Sequence, residues 1–376
     1  MNNLDNLTLN LPANSTSFGN IGFSIMREFY SRGANPNIFP IGAPDISTQV
    51  PDEKFFQWIQ ANAQKAIKSH NRKHPCIKLW HTNADSLSSL SSDNEVFITF
   101  IETDSITEYE KNILAQKKTV FVTSNYTKRV MEDYGLNNIK YLQLGFDNTN
   151  FKKLDKKYYD DDRIVFGLLG KWENRKHHKK VIQAWLKRFG VPKVGVATKY
   201  RLQCATYNPF LVQNINGQMV DHNQSLFRDA MSGKDWGNIE FFNWFPNNES
   251  YNNFLQSNHI VVGMGGGENF EAGEFHSVAL GRHSVILNTN GFKDWATNEN
   301  SCLVNPSGKC DSHDGVFFHK GNIFQQGSFF FYDDAEFIAA CEEVIKRVES
   351  NPTNVAGIEL QKRTYSDVVD QLIKEI

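Results

Sequence analysis

The stretch HIVVGMGGGENFEAGEFHSVALGRHSVILN, residues 259–288, decides the fold. It reads as strand, glycine loop, helix, strand. The run 259–264 is short, apolar and rich in Val and Ile, as a strand buried on both faces requires. Gly265, Gly266 and Gly267 follow, a backbone with no Cβ to block close approach of a ligand. The pattern predicts a helix from about Glu271 to a C-cap at Gly281, then a parallel strand over 284–287. A loop at the carboxyl end of a strand, feeding a helix N-terminus, is a ready anion site in an open α/β sheet. Glu268, Glu271 and Glu274 crowd the same loop. Backbone donors suit phosphate and carboxylates suit sugar hydroxyls, so the mixture points to a nucleotide-sugar.

Working outward, the same grammar occurs twice. In the first half, residues 7–11 alternate as a strand, STSFGN forms a loop, 21–30 a helix and 37–41 a second strand. A helix over 53–68 and strands over 95–101, 119–123 and 139–144 complete this half. Residues 151–162, FKKLDKKYYDDD, are charged and aperiodic and read as the linker. The second half restarts with a strand over 163–169, a loop over 170–175 and a helix over 176–189. Strands follow over 200–206 and 239–242, then the opening stretch, a turn-rich region to about residue 331, and helices over 333–349 and 363–376.

The chain has 376 residues, 40% hydrophobic and 22% charged, an ordinary globular composition with room for two cores. Its net charge of −2 gives no global reason for a nucleic-acid or membrane partner. No signal-peptide pattern opens it, and no run approaches a membrane span. Five scattered cysteines indicate a reducing compartment, hence the cytoplasm.

Several motifs carry chemistry. Residues 170–180, GKWENRKHHKK, crowd cations where a helix N-terminus is already positive, which favours a bound anion. Lys171 and Lys176, at the loop's opening, are the phosphate candidates; Lys179 and Lys180 read as solvated. Glu102, Asp104 and Glu108 follow the strand over 95–101, and Glu102 is the cleft candidate. The run KAIKSHNRKHPCIKLWH, residues 65–81, is basic with apolar anchors, as a polyanion contact would be. Cys302, Cys310, His313 and His319 are zinc-capable types at a spacing that matches no structural zinc pattern. Asp160 to Asp162 read as a solvated charge run in preference to a metal cluster.

The two glycine-cation loops resemble those of retaining glycosyltransferases of the GT-B fold, family 4 in particular. Gly170, Lys171 and Lys176 match that family's Gly-Arg-x4-Lys motif, with Lys for the usual Arg. Glu268 matches the first acid of its Glu-x7-Glu motif, while His276 stands at the second. The resemblance covers nearly the whole chain. It implies an α/β protein of GT-B architecture, two Rossmann-like domains with parallel sheets facing across a cleft. Residues 1–155 would hold the acceptor and 163–362 the nucleotide-sugar donor, with 363–376 crossing back as a helix. Glu268, Lys171 and Lys176 are the implied catalytic set; Gly170, Gly265, Gly266, Gly267, Asn269, Phe270 and His276 the donor contacts; Ser17, Gly19, His81 and Glu102 the acceptor side. No metal or cofactor is implied, because cations and helix dipole serve the diphosphate, and the nucleotide diphosphate sugar is a co-substrate. The acceptor is a glycan, a small molecule or, given the 65–81 run, DNA with hydroxymethylated bases. A non-catalytic binder, an epimerase or a phosphorylase on the same fold are the other readings.

Overall fold

The computed structural model describes residues 4–69, 71–82, 92–192, 198–215, 217–314 and 317–376. His70, counted in the basic run, lies outside them. The first half builds a six-stranded sheet from β1 (Thr8–Pro12), β2 (Asn37–Ile41), β3 (Cys76–Leu79), β4 (Glu95–Thr99), β5 (Thr119–Val122) and β6 (Ile139–Tyr141). Its order is β2-β1-β3-β4-β5-β6, parallel throughout. The second half supplies β7 (Ile164–Leu169), β8 (Tyr200–Ala205), a small ribbon of β9 (Val212–Ile215) and β10 (Gln218–Asp221), then β11 (Ile239–Phe241), β12 (Ile260–Gly263), β13 (His283–Leu287) and β14 (Cys302–Val304). The second sheet runs β11-β8-β7-β12-β13-β14, also parallel. Counted within its own half, that order is 3-2-1-4-5-6, the Rossmann order. A last antiparallel ribbon joins β15 (Pro306–Asp311) to β16 (Ser328–Tyr332).

Every residue of β7, β12 and β13 is buried, which is why these strands read as unbroken apolar runs. Helices cover both faces. Phe166, Val181, Trp185, Val262 and Val344 pack on one side of the second sheet; Leu255, Val261, Phe275 and Val278 pack on the other. The helix Tyr365–Ile373 packs on the first half, burying Val368, Val369 and Leu372 beside Phe23 and Phe29, and Arg32 pairs with Asp370 at 2.7 Å.

Three expectations change. The basic run contains β3, a central strand, and Lys78 is fully buried there, 3.1 Å from Glu95, which also meets Lys117 at 2.7 Å. Lys65 donates to the carbonyls of Asp5 and Asn35, and Arg72 pairs with Asp93. Of these three cations only Lys78 is thereby lost to a polyanion surface; Lys65 and Arg72 remain at the surface with their partners. The helix expected from residue 176 begins at His178; Asn174–Lys176 is a 3-10 turn and His177 is left-handed, φ 56°. The turn-rich region is the β15–β16 ribbon. Cys302 is buried in β14 while Cys310 is exposed on the ribbon, and among the described residues no group of three or more His, Cys, Asp or Glu is placed to hold a metal. Also among them, no helix is long and apolar enough to cross a membrane.

Candidate active site

Each sheet has one point where successive connections leave in opposite directions, and there the loops part to form a crevice. In the second sheet it falls between β7 and β12. The loop after β7 carries Gly170, Lys171, Arg175 and Lys176; the loop after β12 carries Gly265 to Glu271. In the first sheet it falls between β1 and β3, where Ser17, Gly19 and His81 lie. The two crevices face each other.

Lys176 turns back over Gly170, whose φ of 92° excludes ordinary side chains and whose missing Cβ leaves room for the lysine stem. Its Nζ lies 2.8 Å from Glu268 and 2.6 Å from Glu271, fully enclosed. Arg175, absent from the sequence-predicted set, is the hub. Its guanidinium meets Glu102 at 3.0 Å, Glu173 at 2.8 Å and Glu268, and donates to Gly267 O at 2.8 Å. Glu102 belongs to the first half, so this ion pair crosses the cleft. Lys171 is partly exposed, 3.7 Å from Glu173 and over the Phe210 ring. The signal for Arg175 was its place beside Lys176 in a loop with one acid, Glu173; the family motif drew attention to the flanking lysines.

Acids outnumber bases here. Glu102, Glu173, Glu268, Glu271 and Glu274 surround Arg175, Lys176 and Lys171, and uncompensated buried charge is costly. Burial pushes Glu268 up to about 8 and Glu102 up to about 7, against the opposing pull of Arg175. Burial also raises Glu271 and Glu274. For Lys176 burial favours the neutral form, but Glu268 and Glu271 outweigh it and hold its pKa above the ordinary value. Glu173 differs: burial would raise it, but Arg175 and then Lys176 outweigh that and hold it below the ordinary carboxylate value. At the facing crevice, His81 packs on Phe18, ring centroids 4.3 Å apart. The side chain of His81 is otherwise exposed.

The other residues expected at the donor make these contacts within the protein. His276 spends both ring nitrogens on backbone: Nε2 accepts from Asp147 N at 3.1 Å and Nδ1 donates to Ala272 O. It pins the connection between the halves and does not face the crevice. Asn269 accepts from Thr127 Oγ1 at 2.6 Å and donates to Ile101 O, tying its loop to the first half. Phe270 packs into the cores of both halves. Gly266 and Gly267 are glycines for protein contact: a Cβ on either would strike Phe330 O or Glu102 O. Gly265 lies against the Glu268 side chain. On the acceptor side, Ser17 is exposed at a helix start, and Gly19 lets the Asn14 backbone approach.

A small cavity of about 30 Å³ lies beside Glu102. His81, Thr82 and Phe100 line it from the first half, and Phe318 and Gln325 from the loop that joins β15 to β16. Ribbon and first half are tied: Ser328 N and Lys309 Nζ both donate to Asp104, at 2.7 and 2.8 Å.

A scan of protein-family models and a search of curated proteins find no match. Solved structures do match over nearly the whole chain. Sucrose-phosphate synthase from Thermosynechococcus elongatus is similar with a TM-score of 0.61 at 13% identity, covering 98% of this chain and 97% of that one. HepE from Anabaena, in complex with UDP-glucose, gives 0.61 at 12%, covering 98% of each. α,α-Trehalose 6-phosphate synthase from Burkholderia multivorans gives 0.61 at 9%, covering 98% and 97%. Two parallel Rossmann-like sheets with facing crevices, shared end to end with these proteins, make this chain a protein of the GT-B fold.

Proposed function

We propose that the protein is a glycosyltransferase that moves a sugar from a nucleoside diphosphate sugar to an acceptor hydroxyl, with retention and without a metal ion. The observation that carries this is the convergence of Lys171, Arg175, Lys176 and Glu268 at the crevice of a Rossmann-order sheet. That the similar HepE holds UDP-glucose supports the donor class. Loss of the sugar–phosphate bond leaves positive charge on the anomeric carbon and negative charge on the departing diphosphate. Lys171 and Arg175 meet that negative charge once the donor displaces Glu102 from Arg175, and Lys176 holds Glu268 in place beside the sugar. The acceptor oxygen bonds the anomeric carbon as the sugar–phosphate bond breaks. The diphosphate leaves with the electron pair and takes the acceptor proton, so a separate base is not required. With three cations at hand, activity persists in excess chelator.

His276 supports a second reading, a non-catalytic binder, because its ring is committed to backbone where the resembling family has an acid. Glu268→Gln separates the two. As the group that orients the sugar, its loss should lower turnover by roughly 10²–10³. Because Glu268 is part of a buried acid excess, the melting temperature should stay level or rise. Wild-type protein that binds nucleotide-sugars but turns none over supports the binder, and unchanged turnover in the variant removes Glu268 from the mechanism.

A further inference from the structure

Glu268 has a neighbour that the donor assignment leaves unused. Glu271 stands at the start of the helix Ala272–Ala279, where an acidic side chain can accept from the helix's free N–H groups. It makes no such bond. Its carboxylate goes instead to Lys176 Nζ, at 2.6 Å, and the same ammonium meets Glu268 at 2.8 Å. We propose that Glu271 is a positioning residue for Glu268: the two carboxyls share one ammonium and one proton, and a donor diphosphate binds to the pair that holds that proton. This rests on the glycosyl-transfer reading above.

Enclosure makes the proton necessary. The side chains of Glu268, Glu271 and Lys176 are only 5%, 12% and 10% exposed. The cavity they line with Leu168, Val262 and Met264 is about 10 Å³, no more than one water needs. Two carboxylates so placed repel, solvent cannot relieve them, and such a pair keeps a proton. Arg175 also meets Glu268, but it serves Glu102 and Glu173 as well. Glu274 lines the same cavity as a third acid, its Oε2 unpartnered among the described residues. Burial accordingly lifts Glu268 to about 8 and raises Glu271 and Glu274. Among the other groups facing the pair, burial keeps His177 and His178 neutral and raises Tyr251, from the helix Asn248–Ser257. Glu173 stays ionised between Arg175 and Lys171. Glu102, lifted to about 7, touches Arg175 and not the pair; partly exposed on the other half, it can leave without a proton.

A nucleoside diphosphate sugar brings a negative charge on each phosphate. With Glu268 and Glu271 both ionised, the added repulsion falls on a pair that cannot move away, and one proton relieves it. Donor binding therefore raises the proton affinity of the pair. Below about pH 8 the ligand-free pair already holds its proton, so donor affinity is flat. Above that, each donor must bring a proton, and affinity falls by up to about tenfold per pH unit.

The test uses the full chain and UDP-glucose or, if UDP-glucose leaves the melting temperature unchanged, whichever of a panel of nucleoside diphosphate sugars raises it most. Calorimetric titration between pH 7 and 9, in buffers of different ionisation enthalpy, should show the wild-type Kd weakening about tenfold, with about one proton taken up per donor at pH 9. Glu271→Gln keeps an oxygen for Lys176 and removes the second charge. Its Kd should change less than twofold over that range, with no proton taken up, whereas Glu102→Gln should keep the wild-type slope. Release of nucleoside diphosphate at saturating donor and pH 7.5 tests the positioning role. Glu271→Ala should lose at least tenfold in kcat, and Glu271→Gln should restore it to within threefold of wild type. A wild-type Kd that is flat from pH 7 to 9, or a slope that survives Glu271→Gln, overturns the shared proton. A slope lost in Glu102→Gln alone moves the proton to the carboxyl that crosses the cleft and overturns it equally. Equal losses in Glu271→Gln and Glu271→Ala overturn the positioning role. Absence of donor binding at every pH is a separate outcome, which removes the glycosyl-transfer reading and this proposal with it.

Discussion

Arg175 shows how far residue types alone carry a site. The loop after β7 was legible as cationic, and Glu268 as the acid facing it, because both follow buried strands. That Arg175 is the hub was not, since a carboxylate from residue 102 must cross the cleft to reveal it. The bonds that His276 and Asn269 make were not legible for the opposite reason: their position in a motif says nothing about which backbone groups their side chains satisfy. The lysines now separate. Lys176→Ala strands Glu268 and Glu271 in a buried site and should cost roughly 3–5 kcal/mol of stability as well as activity. Lys171→Ala, partly exposed, should cut activity at least tenfold with the unfolding midpoint in denaturant unchanged. Equal midpoints for the two variants would contradict the geometry. Protonation gives a second residue-scale expectation. Carboxyls whose folded pKa lies above the unfolded value bind protons more tightly when folded. Their stabilising contribution is full below about pH 4.5 and is lost as pH rises through the folded values, about 7 for Glu102 and about 8 for Glu268. Between pH 7 and 9 the ligand-free melting temperature should fall by about 2–4 °C, and less in Glu268→Gln. A melting temperature rising over that window would reverse the sign.

At the scale of elements, strands buried on both faces were plain and their ends fell within a residue or two. One element that escaped was β3. Its four residues include Lys78, and a lysine in a central strand is invisible to periodicity because the carboxylate that pairs with it, Glu95, comes from the neighbouring strand β4. The β15–β16 ribbon escaped because its strands are half exposed and the long loop between them carries turn residues. That ribbon matters, for it closes the cleft onto the first half through Asp104. Asp104→Ala removes the acceptor for Ser328 N and the partner of Lys309. Amide exchange at Ser328 and Phe330 should quicken at least tenfold while β7 and β12 keep their protection, read by mass spectrometry. No change at the ribbon would mean that Asp104 does not hold it.

For the whole molecule, the division into two α/β halves was readable because the strand–loop–helix grammar restarts after a charged linker. Strand order was not, since nothing local fixes which neighbour a buried strand chooses. Order is what places the loops after β7 and β12 side by side and aims them at the loops after β1 and β3. The Glu102–Arg175 pair bridges the two halves at this cleft, and under the proposed function a donor diphosphate would compete with that carboxylate. The most direct measurement is a calorimetric titration of wild type, Lys171→Ala and Arg175→Ala with a panel of nucleoside diphosphate sugars, paired with their melting temperatures. The expected result is saturable binding of at least one donor by wild type, a melting temperature that climbs with its concentration, and binding weakened at least tenfold in each variant. Binding equally strong in both variants, or no nucleoside diphosphate sugar bound by wild type at millimolar concentration, would contradict the claim that this crevice holds the donor.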